Sequence, residues 1–388
     1  MCLMPVLRED SVLIMDGAVK LYRRERSRKW QRQTEMAGEL LYGGDTKASR
    51  RSLMNAVNYS ELRKKSRLDL ASAIPLAGPL SVYIEPTNIC NFKCKFCPES
   101  FSNYKEEAGG LFSLSEDEHA LIVNQLRQLG TVKTVNYYMM GEPLVNKSLF
   151  KMIKSLKVAN VSEKVILTTN GSLLLPKTYP QICESGLDYL RISVYGSNEK
   201  VHRVNTQSKI PLKRIFDNVK GLKNYRDHTG ATKPFIYVKT IDAQNAQLNN
   251  DFLELFDGAG DEVAIEPIMN WNDPTEGQLA NLPQEELLDT SYFSQKKEVC
   301  PFPFYTLVIN SDLNVSVCCV DWNKKLVVGN AKLNTLQEIW NGPVINEIRA
   351  KHLQRKKSSI PGCSTCTYLH TAPDNIDCLT ASHCSKLG

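Results

Sequence analysis

No apolar run in this 388-residue chain approaches the ~20 residues that a membrane helix needs. A membrane-spanning protein is therefore not expected. Residues 1–16 are apolar in places, but Arg8, Glu9 and Asp10 interrupt them and no small-residue cleavage site follows, which argues against a secretory signal. Internal repeats and extended low-complexity tracts are missing too, so the chain reads as an ordinary globular protein with 42% hydrophobic residues. Its length allows two domains, or one large domain with an appendage. The expected setting is the cytoplasm.

An acidic surplus is also lacking: the net charge is +6, unevenly placed. Residues 1–70 hold 15 Lys and Arg against 9 Asp and Glu, while the remainder carries 33 of each. The whole excess sits on an N-terminal extension, in runs such as Arg63-Lys64-Lys65. A solvated helix face explains such runs most simply, with an acidic leader peptide or a phosphate-rich partner as the functional alternatives.

What the chain does have is cysteine. Twelve are present, grouped as Cys90-x-x-x-Cys94-x-x-Cys97, Cys318-Cys319 and Cys363-x-x-Cys366. With no export signal, metal chemistry in a reducing compartment is a better reading than disulfides. Three thiolates on one tight loop suit a cubic iron–sulfur cluster, because four irons held by three cysteines leave one iron free to chelate the amino and carboxylate groups of a small molecule. A closed zinc site would want a fourth ligand close by.

This triplet, with Phe96 just before its last cysteine, resembles the signature of the radical S-adenosylmethionine (radical SAM) enzymes. The resemblance implies a [4Fe–4S] cluster on Cys90, Cys94 and Cys97 that binds SAM and cleaves it reductively to a 5′-deoxyadenosyl radical, which takes hydrogen from a substrate. It also implies a reducing electron donor of flavodoxin or ferredoxin type.

Short strand-like runs alternate with helical stretches after Pro79: 80–84, 132–138, 164–168, 189–194, 235–241 and 262–266, separated by 116–129, 147–156, 179–185, 212–225 and 251–256. This alternation argues for parallel βα units and an α/β fold; a partial (β/α)6 TIM-like barrel of six such units resembles the radical SAM core, which would carry chemistry on the loops after its strands. The expected domains are a basic N-terminal extension (1–79), with a hairpin signal at Asp16-Gly17 and a helical pattern over 49–70, a radical SAM core (80–275) and a small C-terminal iron–sulfur domain (276–388). A hairpin is expected over 306–320.

Other core motifs resemble the family's SAM contacts. Met139-Met140-Gly141-Glu142-Pro143 resembles the GGE motif beside the SAM amino group, with Met140 where the first glycine is usual. Thr169-Asn170-Gly171 resembles a pocket wall, Ser193 the hydroxyl that meets the ribose or carboxylate, and Arg203 the arginine that pairs with the carboxylate through its planar fork. Glu266-Pro267 resembles the segment along the adenine, while Lys239 and Trp271 are candidates to face substrate.

Cys300, Cys318, Cys363 and Cys366 form a second set that would close a [4Fe–4S] or a zinc site equally well. Together with Asn314-Val-Ser-Val-Cys318 and Leu336-Gln-Glu-Ile-Trp340, they resemble the SPASM/twitch extension of radical SAM enzymes, closest to the short form with one auxiliary [4Fe–4S] cluster seen in amino-cyclitol dehydrogenases. Cys318 is preferred to Cys319 because neighbouring side chains of a hairpin face opposite ways and the family pattern favours the first. The implied reaction is oxidation or epimerisation of a small hydroxylated substrate, with Cys183, Cys319, Cys378 or Cys384 as hydrogen donors in the second case. Modification of a ribosomal peptide is the alternative, and a zinc module contacting nucleic acid is the remote one.

Overall fold

The computed structural model describes residues 68–268, 271 and 297–386. The hairpin signal at Asp16-Gly17 lies outside them, as does almost all of the helical pattern of residues 49–70.

Six parallel strands run in chain order: β1 (Ser81–Ile84), β2 (Val132–Tyr137), β3 (Ser162–Thr169), β4 (Tyr189–Ser193), β5 (Phe235–Ile241) and β6 (Glu262–Glu266). This is the partial TIM-like barrel. Register aligns side chains into rows because successive residues of a strand face opposite sides. One row joins Val82, Val135 and Val165; further along, Leu190 pairs with Ile236 and Ile192 with Val238, every one of them fully buried. That aliphatic face shares a core with helix residues such as Ile122, Leu126, Ile153 and Val219. The opposite face carries Tyr83, Asn136, Thr168, Arg191, Ser193, Tyr237 and Lys239, and it forms the barrel lumen.

The helices between strands have local causes. Helix α1 (Glu116–Leu129) starts at a capping box in which Ser115 and Glu118 satisfy each other's backbone donors. Helices α2 (Leu149–Ala159), α3 (Tyr179–Glu184), α5 (Leu212–His228) and α6 (Ala246–Phe256) fall on the expected helical stretches, although α6 begins five residues before its expected start. Helix α4 (Glu199–Thr206), capped by the Asn198 side chain and ended by left-handed Gln207, was not foreseen.

The C-terminal part continues the same sheet. Strand β7 (Thr306–Ile309) pairs parallel with β1, then β8 (Asn314–Ser316) and β9 (Val327–Asn330) follow antiparallel, giving the order β6-β5-β4-β3-β2-β1-β7-β8-β9. The expected 306–320 hairpin is thus the β7–β8 pair. Helices α7 (Leu336–Asn341) and α8 (Pro343–Leu353) follow, α7 packing against β9 and α1. Gln125 of α1 donates to Ala331 O at 2.7 Å and accepts from Leu336 N at 2.9 Å, so a core helix and the C-terminal segment share one buried amide. Among the described residues no helix is long and apolar enough to cross a membrane.

Candidate functional site

Cys90, Cys94 and Cys97 lie on the loop that leaves β1. Backbone bonds anchor this loop to two other elements: Glu142 N donates to Ile89 O at 3.0 Å, Lys93 N to Thr206 O at 3.1 Å and Lys95 N to Asn205 O at 2.9 Å. The last carbonyls of α4, which have no partner within the helix, thereby find donors. Within the loop, Cys97 N bonds Cys94 O at 2.9 Å and Phe92 N donates to Cys90 Sγ at 3.4 Å. Trp271, a candidate for facing substrate, donates its indole N–H to Phe96 O at 3.1 Å.

The turn after β2 explains one glycine. Gly141 has φ +71°, and a Cβ there would lie 2.8 Å from Ile89 N and closer still to the Thr87 carbonyl oxygen. Only glycine lets this turn press against the cysteine loop. Met140, at the unusual position, is buried and donates its N–H to Glu85 Oε1 at 3.0 Å. Glu85 also accepts from Ser311 N at 2.9 Å and Ser311 Oγ at 2.7 Å. This buried carboxylate was missed by sequence reasoning. It ties β1 to the β2 turn and to the β7–β8 connection.

Glu142 is fully enclosed. Its carboxylate accepts from Thr169 Oγ1 at 2.6 Å, Asn170 N at 2.7 Å and Leu144 N at 3.1 Å, yet burial outweighs these bonds and pushes its pKa up to about 7. Asn170 donates to Asn91 Oδ1 at 2.9 Å, and Asn91 donates to Ser172 Oγ at 2.9 Å. Gly141, Glu142, Thr169 and Asn170 are therefore gathered against the three-cysteine loop.

Ser193 is buried at the end of β4, two residues before Tyr195, whose ring meets Phe96 edge-on at 4.6 Å. Arg203 is not drawn in: its side chain is 60% exposed and bonds Glu199 at 2.6 Å one turn away. The lumen contains a cluster that was only partly anticipated. Glu266 of β6 accepts from Arg191 Nη2 at 2.9 and 3.1 Å, from Lys239 Nζ at 2.5 Å and from the Tyr237 hydroxyl at 3.0 Å. Arg191 also reaches the Tyr138 hydroxyl at 3.5 Å. Thr168 pairs in register with Arg191, and its hydroxyl is buried with no hydrogen-bond partner among the described residues.

Cys300, Cys318, Cys363 and Cys366 come from separate segments and line one cavity, walled otherwise by apolar residues including Pro303, Val317, Val320, Leu326 and Leu369. Cys319 turns elsewhere, donating to the Tyr368 hydroxyl at 3.6 Å and lying close enough to Tyr83, on the lumen face, to influence its ionisation. Cys183 is half-buried on α3 and Cys378 is exposed, while the Cys384 side chain lies outside the described residues.

Burial pushes every thiol of both sets up, Cys363 to about 12. Free thiols would stay neutral here, whereas coordination to a metal deprotonates them. All seven sulfurs are free of disulfides, so the donor chemistry of both sets fits iron–sulfur groups. Among the described residues no three His, Cys, Asp or Glu converge as a cage for a single metal ion.

Residues 84–238 match the model of the radical SAM superfamily, and residues 300–367 match that of SPASM, an iron–sulfur cluster-binding domain. The chain is 21% identical over 287 residues to the S-adenosyl-L-methionine-dependent 2-deoxy-scyllo-inosamine dehydrogenase of Niallia circulans, covering 74% of this chain and 91% of that protein. A tungsten-containing aldehyde ferredoxin oxidoreductase cofactor-modifying protein of Pyrococcus furiosus is 25% identical over 160 residues, 41% of this chain and 43% of that protein. The chain thus spans less than half the length of that relative. The structure of Streptococcus suis SuiB bound to its precursor peptide SuiA has a similar fold, with TM-score 0.52, 15% identity, and coverage of 93% of this chain and 88% of that one.

Proposed function

This chain carries a radical SAM domain and a C-terminal SPASM domain, and from that premise we propose that it is an oxidoreductase acting on a small hydroxylated substrate of sugar or cyclitol type. The two domains imply a [4Fe–4S] cluster with SAM, and auxiliary iron–sulfur chemistry. In this reading Cys90, Cys94 and Cys97 hold the first cluster, and Cys300, Cys318, Cys363 and Cys366 hold one auxiliary cluster. When bound, these groups supply a 5′-deoxyadenosyl radical for hydrogen abstraction and an acceptor for one electron.

The protein's own part is binding, positioning and proton handling. Glu142, fixed by Thr169, Asn170 and Leu144, offers a buried carboxylate to an ammonium group, and such a cation would favour its ionised form. Asn170 and Ser193 hold adjoining walls. The lumen presents Arg191, Lys239, Glu266, Tyr138 and Tyr237 as linked donors and acceptors, a lining that suits a ligand rich in hydroxyls. The observation that carries the reading is the Glu266 carboxylate, on which Arg191, Lys239 and Tyr237 of the lumen converge: such a set of linked donors and acceptors is what ligand hydroxyls would pair with.

The choice of an alcohol over a peptide is supported by sequence similarity to the inosamine dehydrogenase across 91% of that protein. A ribosomal peptide is the second reading, favoured by the basic first 70 residues. The cytoplasm and a flavodoxin- or ferredoxin-type donor complete the proposal.

The test is to incubate anaerobically reconstituted protein with SAM, dithionite and a panel of amino-cyclitols, sugars and polyols. Ketone formation matched by 5′-deoxyadenosine is expected with at least one of them. Turnover of a peptide, with every polyol inert, would overturn the small-substrate reading.

A further inference from the structure

The four-cysteine cavity has two opposed charges beside it. Lys357, half-buried at the start of the short turn Lys357–Ser359, donates its ammonium to Cys366 O at 2.6 Å. This bond fixes a positive charge on the chain segment that carries Cys363 and Cys366. Asp321 is fully buried three residues after Cys318, and its carboxylate accepts from Lys325 N at 3.0 Å and Leu326 N at 2.9 Å. The backbone thus holds this carboxylate beside Leu326, which lines the cavity. Lys357 favours negative charge on Cys300, Cys363 and Cys366, whereas Asp321 opposes it on Cys363 and Cys366. His352, also near Lys357, is held down to about 4 by burial and is neutral at ordinary pH, so it does not add to the balance.

Adding an electron to a group held by four thiolates makes it more negative. A fixed cation stabilises the reduced form and a fixed anion the oxidised form, and both effects are larger where apolar walls exclude water. Resting on the assignment of Cys300, Cys318, Cys363 and Cys366 as ligands, we propose that Lys357 and Asp321 set the reduction potential of the auxiliary cluster, Lys357 raising it and Asp321 lowering it. Both are positioning residues: neither is a ligand, and each acts through the electrostatic environment of the thiolates. A raised potential suits an acceptor for the electron left on a substrate after hydrogen abstraction.

The experiment is a redox titration of reconstituted holoenzyme followed by electron paramagnetic resonance, on wild type, Lys357→Met, Lys357→Arg and Asp321→Asn, with iron counted in each. The expected result is a lower auxiliary midpoint in Lys357→Met, a higher one in Asp321→Asn, retention of the wild-type value in Lys357→Arg, and an unmoved first-cluster midpoint throughout. Unchanged auxiliary midpoints at full iron content would overturn the tuning role alone. If Lys357→Met fails to hold iron, Asp321→Asn decides, and a midpoint that stays put or falls overturns the proposal. A wild-type protein with only the first cluster would instead overturn the ligand assignment beneath it, and the proposal with it.

Discussion

The two cysteine sites are built in opposite ways. The first takes three thiols from eight consecutive residues on one loop, with the carboxylates of Glu142 and Glu99 as electrostatic neighbours of its sulfurs. The second draws four thiols from three separated stretches, encloses them in apolar walls, and has one cation and one anion nearby. A loop that supplies only three thiolates can present an open group to a ligand. A cavity closed by four sulfurs cannot, and it suits electron storage instead. In the proposed reading, one molecule separates a group that binds from a group that exchanges electrons.

Single substitutions break this contrast most sharply. Cys94→Ala should reduce 5′-deoxyadenosine formation to background, while Cys363→Ala should retain SAM cleavage but lose substrate oxidation, with iron falling from about eight to about four per chain. Iron analysis and product chromatography separate the two. Next in size is Gly141→Ala, whose added Cβ strikes the backbone of the cysteine loop and meets an unfavourable φ as well; a loss of roughly 2–4 kcal/mol in chemical denaturation is expected, together with loss of the first cluster only.

Glu142 gives a pH-dependent effect. Its pKa is raised from 4.5 to about 7 in the folded protein, so folding takes up a proton between those values. The stability this group contributes is present below pH 4.5 and is lost as pH rises through about 7, a change on the order of 3 kcal/mol in cluster-free protein. Glu142→Gln should flatten that part of the stability profile. The smallest effect belongs to Arg203→Ala. An exposed pair one helical turn apart contributes a few tenths of a kcal/mol, ~0.3–0.5, and the KM for SAM should change by less than about two-fold, because Arg203 faces Glu199 rather than the pocket.

The same contrast governs what could be read from the sequence. Strands β1 to β6 were legible because each is a short apolar run flanked by turn signals, and the three-cysteine loop because its spacing is local. Helix α4 escaped notice because its eight residues include Glu199, Lys200, Arg203 and Asn205, which leave no clear apolar stripe. The pairing of β7 with β1 brings together residues more than 200 positions apart, and nothing within either strand encodes the other. Glu85 bonding Ser311, and Glu266 bonding Arg191 and Lys239, were hidden for the same reason: each charge finds its partners only once the sheet is formed. Cys318 and Cys319 illustrate the intermediate case. Alternation predicts that they diverge, and they do, but which of them lines the cavity depended on resemblance rather than on spacing.

In the proposed reading, one chain holds an open three-sulfur cluster and a closed four-sulfur one. Iron, sulfide and zinc analysis of anaerobically reconstituted wild-type protein tests it most directly. About eight irons with matching sulfide per chain is the predicted result; zinc in place of iron would contradict it.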